Sequence, residues 1–148
     1  MNPPPPELLL IDDDAAMRSM LFRAITRAGY VVHEAADGRE GLKILDAHPI
    51  ALVLTDIIMP DVEGVELIFR IRKSHRTMPI IAMSGGGRMS PKGYLEVAKS
   101  CGANRTISKP FDIEQLLGWV AELVAEGKNP APPAQGPSTR GESEPGPV

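Results

Sequence analysis

The sequence predicts a doubly wound α/β domain built on a five-stranded parallel sheet. Short apolar runs alternate with helical patterns five times between residues 7 and 126. Three of these runs are apolar almost throughout, as strands are when helices cover both faces of a parallel sheet. Apolar residues make up 43% and charged residues 24% of the 148 residues, which suits one core and one domain.

The first two βα units have clear ends. Residues 8–11 form an apolar run that leads into acidic residues, and a helical pattern follows until Gly29 ends it. Residues 30–34 predict the second strand. Asp37 and Glu40 then have the spacing of a capping box, which predicts the start of a second helix.

The third unit and the fourth strand follow the same pattern. Residues 51–55 are apolar until their last position, and they predict the third strand. The apolar residues Val65, Ile68 and Phe69 mark a third helix. Residues 80–83 predict the fourth strand.

The end of the domain contains two more helices around a short strand. Ser90 as N-cap and Pro91 as first helical residue open a fourth helix, and residues 105–108 form the fifth strand. The last helix has a predicted buried stripe at Ile113, Leu116, Leu117, Val120 and Val124. Trp119 and Leu123 lie off this stripe, so they either form a partner or homodimer surface or pack beside the fourth helix.

The composition of the strands predicts their order. Strands 1, 3 and 4 are the most apolar and are expected at the centre, whereas strands 2 and 5 carry polar residues and fit the edges. That gives the order 2-1-3-4-5, which is the flavodoxin-like order. In such sheets, binding sites form at the carboxyl ends of the strands, at the switch point between strands 1 and 3.

Polar side chains stand at the carboxyl ends of four strands. In chain order they are Asp12, Asp13, Asp56, Ser84 and Lys109. Crowded carboxylates repel one another, and Mg²⁺ favours a few carboxylate oxygens. An ammonium and a hydroxyl suit phosphate oxygens, so the set supplies the parts that phosphoryl transfer needs. Each residue alone has an ordinary explanation as a helix cap, a turn residue or a surface lysine, and only the combination favours a site.

With these residues, the sequence resembles the response-regulator receiver family over nearly all of residues 7–126. The resemblance is strongest at residues 10–14, at residues 56–61 with Gly64, and at residues 108–111. It implies a (βα)5 receiver fold and a signalling switch more than an enzyme with turnover. In this family a histidine kinase usually donates the phosphoryl group, and the receiver promotes both the transfer and the later hydrolysis.

The resemblance implies a role for each site residue. Asp56 would be the phosphoacceptor, Lys109 would contact the acyl phosphate, and Ser84 would be the switch hydroxyl. Asp13 would be a direct Mg²⁺ ligand and Asp12 would act through water. The full metal set would be Asp12, Asp13, Asp56 and the backbone carbonyl of Ile58.

Thr106 departs from the family pattern. The position three before the site lysine is commonly Tyr or Phe, which swings inward when the switch hydroxyl moves. Thr106 need not touch the phosphate, so the phosphorylation chemistry should survive. The usual aromatic route of signal transmission would be replaced by a rotamer change at Thr106 or by the fourth helix.

Two other classes of function compete with this interpretation. A haloacid-dehalogenase-like phosphatase would use Asp12 as its nucleophile, since Asp12 and Asp14 imitate its D-x-D pattern. Ala16 stands where that pattern requires Thr or Val, and the late acidic pair is missing. A phosphate-independent binding module would keep the fold and lose the acids that this chain retains.

Composition limits the partners and the location. A formal charge of −3 argues against direct nucleic-acid binding, and no apolar run is long enough to span a membrane. A single cysteine and an N-terminus unlike a signal peptide favour the cytoplasm. The histidines lie far apart in the sequence and match no metal-ligand spacing. The expected partners are a histidine kinase or histidine phosphotransfer protein and an unidentified downstream protein.

Proline-rich segments flank the predicted domain. Residues 1–6 and 127–148 contain few large apolar residues, so we expect both to be disordered around a receiver domain at residues 7–126. Nothing after the last helix resembles an output domain. A stand-alone receiver and a receiver cut from a larger protein, such as a hybrid kinase, both fit.

Overall fold

The computed structural model describes residues 3–57, 64–84, 96, 99–100 and 102–128. The strands are β1 (Glu7–Ile11), β2 (Val31–Ala35), β3 (Ile50–Asp56), β4 (Ile80–Ser84) and β5 (Arg105–Ser108). The helices are α1 (Ala15–Arg27), α2 (Gly38–Ala47), α3 (Gly64–Ser74) and α4 (Ile113–Lys128). The start of the helix predicted at Ser90 and Pro91 lies outside the described residues.

The five strands form one parallel sheet in the order β2-β1-β3-β4-β5, which confirms the predicted order. In the register of the sheet, Ile11 pairs with Thr55 and Ser84 pairs with Ser108. Strand β3 runs through Asp56, one residue beyond the predicted end. The carboxyl ends of the three central strands therefore meet at one edge.

The helix starts follow from their capping residues. The Asp14 carboxylate accepts hydrogen bonds from the backbone N–H groups of Ala16 (3.0 Å) and Met17 (3.2 Å) at the start of α1. The Asp37 carboxylate accepts from the Glu40 N–H at 2.8 Å, which is the first bond of the predicted capping box, while the Glu40 carboxylate accepts from the Ala36 N–H at 2.9 Å and not from that of Asp37. Because Asp14 caps α1, the acidic run after β1 is divided between a helix cap and the edge of the sheet.

Two apolar layers enclose the sheet, because alternate strand residues point to opposite faces. Helices α2 and α3 cover one face with their buried residues Leu45, Leu67, Ile68 and Ile71. Helices α1 and α4 cover the other with Leu21, Ile25, Leu116, Val120, Leu123 and Val124. This double cover confirms the expectation of a sheet buried on both faces.

Two apolar side chains lie on the opposite side of the surface from the one that the sequence pattern indicates. Phe69 was grouped with the residues that mark α3, but its side chain is 55% exposed. Leu123 is only 2% exposed, and Trp119 packs against the same apolar layer. Leu123 is therefore a core residue. It cannot contribute with Trp119 to a partner or homodimer surface.

An arginine network fixes the entry to β5. Arg72 of α3 donates to the Gly102 carbonyl from Nε at 3.1 Å and from Nη2 at 2.8 Å. Arg72 Nη2 also donates to Asn104 Oδ1 at 2.8 Å, and the same oxygen accepts from the Ile80 N–H at 2.9 Å. These bonds tie α3, β4 and the start of β5 together, and β5 in turn positions the residues that follow it.

Gly41 of α2 provides a test of the packing between this helix and β1. A Cβ atom at Gly41 would lie 2.5 Å from Cδ1 and 3.0 Å from Cγ1 of Ile11, which is fully buried. Overpacking costs about 1–3 kcal/mol and helix propensity returns up to about 1 kcal/mol. We therefore expect Gly41→Ala to lower the free energy of unfolding by about 1 kcal/mol, measured by urea denaturation.

Gly118 of α4 is the matched control for this substitution. It is exposed, and a Cβ atom there would meet nothing within 4 Å. Gly118→Ala should raise the free energy of unfolding by up to about 1 kcal/mol through helix propensity alone. Equal stabilisation by both substitutions would contradict the tight packing of α2 on Ile11.

Candidate functional site

Three carboxylates converge at the carboxyl ends of β1 and β3. One oxygen from each of Asp12, Asp13 and Asp56 lies within 4.8 Å of the others. Asp12 is fully buried and Asp56 is 6% exposed, whereas Asp13 is exposed to solvent. The cause is the register: because Ile11 pairs with Thr55, the residues that follow them in each strand are neighbours.

Lys109 provides a positive charge against two of these acids. Its Nζ atom donates to Asp12 Oδ2 at 3.0 Å and to Asp56 Oδ2 at 3.1 Å. The Lys109 N–H donates to the Ser84 carbonyl at 2.7 Å, so the ladder between β4 and β5 continues past Ser108 and directs Lys109 to the acids. The Lys109–Pro110 peptide bond is cis.

The charge state of Lys109 follows from two opposing effects. Burial disfavours the charged ammonium and lowers the pKa of Lys109, but the hydrogen bonds and negative charges of Asp12 and Asp56 outweigh it. The net result is a pKa raised above the ordinary lysine value. Lys109 is therefore a protonated counter-ion for the acids at neutral pH.

Asp12 and Asp13 occupy different environments. Asp12 Oδ1 accepts from the Asp14 N–H at 2.9 Å, and Asp12 Oδ2 accepts from Lys109. The main chain of Asp12 is held as well, since its carbonyl accepts from Arg18 at 2.6 Å and its N–H donates to Ala35 at 3.1 Å. Asp12 is thus fixed with a protein donor on each carboxylate oxygen, while Asp13 faces solvent.

Ser84 ends β4 at the same edge of the sheet. Its side chain is fully buried, and its Oγ atom has no hydrogen-bond partner within the part of the chain that the structure describes. A buried hydroxyl without a partner costs free energy. Among the described residues, Ser84 therefore presents an available hydroxyl donor on the residue next to Lys109 in the sheet ladder.

The sequence also pointed to Thr106 as a switch residue and to Ile58 as a metal ligand. Thr106 pairs with Ala82 in the sheet and is partly exposed. Ile58 lies outside the described residues, so its backbone carbonyl stays a predicted metal ligand.

The composition of the site suits a hard divalent cation. Three carboxylates stand against one ammonium, so the cluster carries an excess of negative charge. Oxygen ligands of this kind, few in number and open to water on the side of Asp13, fit the coordination that Mg²⁺ prefers. Binding a cation here would relieve the repulsion between the carboxylates.

A second group of ligand-type side chains lies at the opposite, amino edge of the sheet. Glu7, His33 and His48 come together there, with one ligand atom from each within 4.8 Å of the others. The sequence did not predict this group, because the histidines match no ligand spacing along the chain. The fold alone offers a weak signal: His33 in the edge strand β2 and His48 after α2 both lie near the start of β1, where Glu7 is.

A parallel sheet in this order, with acids and a lysine at its carboxyl edge, places the chain in the flavodoxin-like class of α/β domains, whose sites lie at that edge. Residues 8–121 match the family model described as the response regulator receiver domain, and the chain belongs to this family.

Similar proteins include regulators and kinases of two-component systems. The chain is 27% identical over 117 residues to the transcriptional regulatory protein TcrA of Mycobacterium tuberculosis, covering 79% of this chain and 45% of TcrA. It is 33% identical over 111 residues to the sensor kinase CckA of Brucella abortus, covering 74% of this chain and 11% of CckA. The chain therefore spans less than half the length of either relative.

Among solved structures, receiver domains match most of this chain and nearly all of their own length. A CheY-like receiver domain protein from Methanospirillum hungatei superimposes with a TM-score of 0.76 at 28% identity, covering 86% of this chain and 99% of that one. The chemotaxis protein CheY4 of Vibrio cholerae gives a TM-score of 0.71 at 28% identity, covering 80% of this chain and 98% of CheY4.

These findings identify the chain as a receiver domain of two-component systems and confirm the resemblance read in the sequence. The phosphatase alternative with Asp12 as nucleophile is not favoured. Within the described residues, no helix is long and apolar enough to cross a membrane.

Proposed function

We propose that this receiver accepts a phosphoryl group on Asp56 and thereby changes its contacts with other proteins. The observation that carries the proposal is the position of the Asp56 carboxylate. One oxygen lies 3.1 Å from Lys109 Nζ, and the carboxylates of Asp12 and Asp13 stand beside it. Asp56 thus has a cation on one side and a cluster of metal-ligand oxygens on the other.

The proposed donor is the phosphohistidine of a histidine kinase or of a histidine phosphotransfer protein. A carboxylate oxygen of Asp56 attacks phosphorus, the P–O bond forms as the P–N bond breaks, and the imidazole leaves with the electron pair and gains a proton from solvent. Later attack by water on the acyl phosphate releases inorganic phosphate and restores Asp56. Relatives named as sensor kinases support a donor of this class.

Lys109 and Ser84 are proposed to act on the transferred group. The ammonium of Lys109 would pair with a phosphoryl oxygen, since its positive charge already lies against the Asp56 carboxylate. The unused hydroxyl of Ser84 would donate to another oxygen. Thr106, on the neighbouring strand, would then transmit the movement of Ser84 through its own rotamer, because the chain has no aromatic ring at that position.

The acidic residues are proposed to hold Mg²⁺. When bound, Mg²⁺ supplies positive charge that offsets the charge of the phosphoryl oxygens and of the carboxylates. Asp13 and Asp56 would be direct ligands with the Ile58 carbonyl. Asp12 would act through water, because both its oxygens already accept hydrogen bonds from the protein.

Removal of Mg²⁺ tests this proposal. We expect the full chain to gain the mass of one phosphoryl group during incubation with acetyl phosphate and Mg²⁺, because the acids can bind the ion and Lys109 can pair with the phosphate. With a chelator in place of Mg²⁺, the labelled fraction should fall at least tenfold, an effect of at least about 1.4 kcal/mol on the barrier. Intact-mass spectrometry measures both fractions, and equal labelling without the metal would contradict the assigned role of the acids.

A further inference from the structure

The side chains at the amino edge of the sheet come from three separate elements. Glu7 is the first residue of β1, His33 is the third residue of β2, and His48 directly follows α2. Glu7 pairs with Val31 in the sheet, so the edge strand places His33 on the same face two residues further along. This is the face that α2 covers, and the end of α2 brings His48 over it.

The ligand atoms of this group are close together. His33 Nε2 lies 2.8 Å from Glu7 Oε1, and His48 Nδ1 lies 3.9 Å from the same oxygen. The two imidazole rings stack with their centroids 4.1 Å apart. The side chains are 22% exposed for His33, 27% for Glu7 and 43% for His48, so the group is reachable from solvent.

The backbone on both sides of His48 holds it in this position. The His48 N–H donates to the Ile44 carbonyl at 3.0 Å, and the His48 carbonyl accepts from the Ile50 N–H at 2.9 Å. His33 and Glu7 both lie within paired strands. Two of the three residues therefore stand in the sheet, and the third is held by backbone hydrogen bonds in the short connection between α2 and β3.

A hydrogen bond between His33 and Glu7, with His48 stacked on His33, is the simplest explanation of the group, but it gives the Nδ1 atom of His48 no role. The 3.9 Å separation between His48 and Glu7 is too long for a hydrogen bond. A shared cation gives all three ligand atoms a partner.

From this geometry we propose that Glu7, His33 and His48 bind one Zn²⁺ ion, with water in the remaining position. Zinc takes imidazole nitrogens and carboxylate oxygens at about 2.0–2.2 Å, which places tetrahedral ligand atoms roughly 3.3 Å apart. The observed separations of 2.8 Å and 3.9 Å lie on either side of that value. Two nitrogen ligands favour Zn²⁺ over Mg²⁺, which prefers oxygen.

This site is separate from the proposed phosphorylation site. Strand β1 starts at Glu7 and ends next to Asp12, so these two residues of the two sites are five steps of extended chain apart, roughly 16 Å. The zinc proposal therefore does not rest on phosphorylation. Substitution of Asp56 by Asn should leave zinc binding unchanged.

Calorimetric titration of Zn²⁺ into the full chain tests the proposal, in a buffer with millimolar Mg²⁺ to occupy the carboxyl edge. We expect one ion per chain. Loss of a residue that only supports a metal ligand weakens metal affinity about 10–100-fold. His33 and His48 are proposed as direct ligands, so His33→Ala and His48→Ala should each weaken zinc binding at least tenfold. His75→Ala is the matched control, because His75 is not part of the group, and it should bind zinc like the wild type.

Absence of zinc binding by the wild type, or equal binding by the His33 and His48 variants, would overturn the proposal. Zinc-edge X-ray absorption of the wild-type protein gives an answer that does not depend on the folding of a variant. A first shell with two imidazole nitrogens at about 2.0–2.1 Å is expected. A shell of oxygen atoms alone would place the ion at the aspartates and overturn the assignment.

Discussion

Asp56→Asn will gain no phosphoryl group under conditions in which the wild-type chain gains one. The amide oxygen carries no negative charge and is a poor nucleophile, although it can still accept the hydrogen bond from Lys109. The variant should therefore keep its fold and lose the chemistry. Intact-mass spectrometry after incubation with acetyl phosphate and Mg²⁺ measures the result, and far-ultraviolet circular dichroism checks the fold.

Asp46→Asn is the matched control, because Asp46 is an exposed acid of α2 away from the carboxyl edge. It should be labelled like the wild type. Label found on Asp12 would revive the phosphatase interpretation. A folded wild-type chain that gains no mass would favour a module that works without phosphate.

Lys109→Met will lower the free energy of unfolding in the absence of Mg²⁺ by about 3 kcal/mol, the lower end of the range for breaking a buried ion pair. The Lys109 side chain is 14% exposed, and it lies against an Asp12 side chain with no exposure and an Asp56 side chain with 9%. Without Lys109 these carboxylates repel each other across a buried edge. The side chains of Lys109 and Asp56 keep some contact with water, which is why the low end applies.

Urea denaturation at pH 7 measures this effect. Lys73→Met in α3 is the matched control, since Lys73 is exposed and its Nζ atom lies 5.6 Å from the Phe69 ring centroid. It should change the free energy of unfolding by less than about 0.5 kcal/mol. Addition of Mg²⁺ should recover part of the stability lost in Lys109→Met, because the cation takes over the neutralisation of the acids.

The contribution of Lys109 to the free energy of unfolding should be lost only at high pH. Its pKa is raised in the folded chain, so its contribution is complete below the ordinary lysine pKa of about 10.4 and is lost as the pH rises through the higher folded value. The difference in stability between wild type and Lys109→Met should stay constant from neutral pH to about pH 10. A difference that shrinks near neutral pH would contradict the raised pKa.

The strand order could be predicted because burial leaves a direct mark on composition. A strand covered on both faces must be apolar at every position, as β3 is at residues 50–54, whereas an edge strand tolerates residues such as His33 and Glu34. Side-chain positions on helices were harder to predict. Phe69 follows Ile68 directly, and only the seating of α3 on the sheet decides which of the two is buried.

The positions of the acids and the lysine could be predicted for a related reason. Parallel strands end at one edge, so residues that follow neighbouring strands meet there whatever the details of packing. The group of Glu7, His33 and His48 could not be predicted in this way. It depends on the register of β2 against β1 and on where α2 stops, and neither leaves a spacing pattern in the sequence.

The Ser84 hydroxyl, which has no partner among the residues that the structure describes, bears on the balance between resting and phosphorylated populations. A buried hydroxyl without a partner raises the free energy of the state that contains it by about 1–3 kcal/mol. If a phosphoryl oxygen accepts its hydrogen bond, only the modified state is relieved of that penalty. A difference of this size shifts a two-state population by a factor of about 5–150. One hydrogen bond that forms only in the phosphorylated state would thus shift the balance toward that state by this factor.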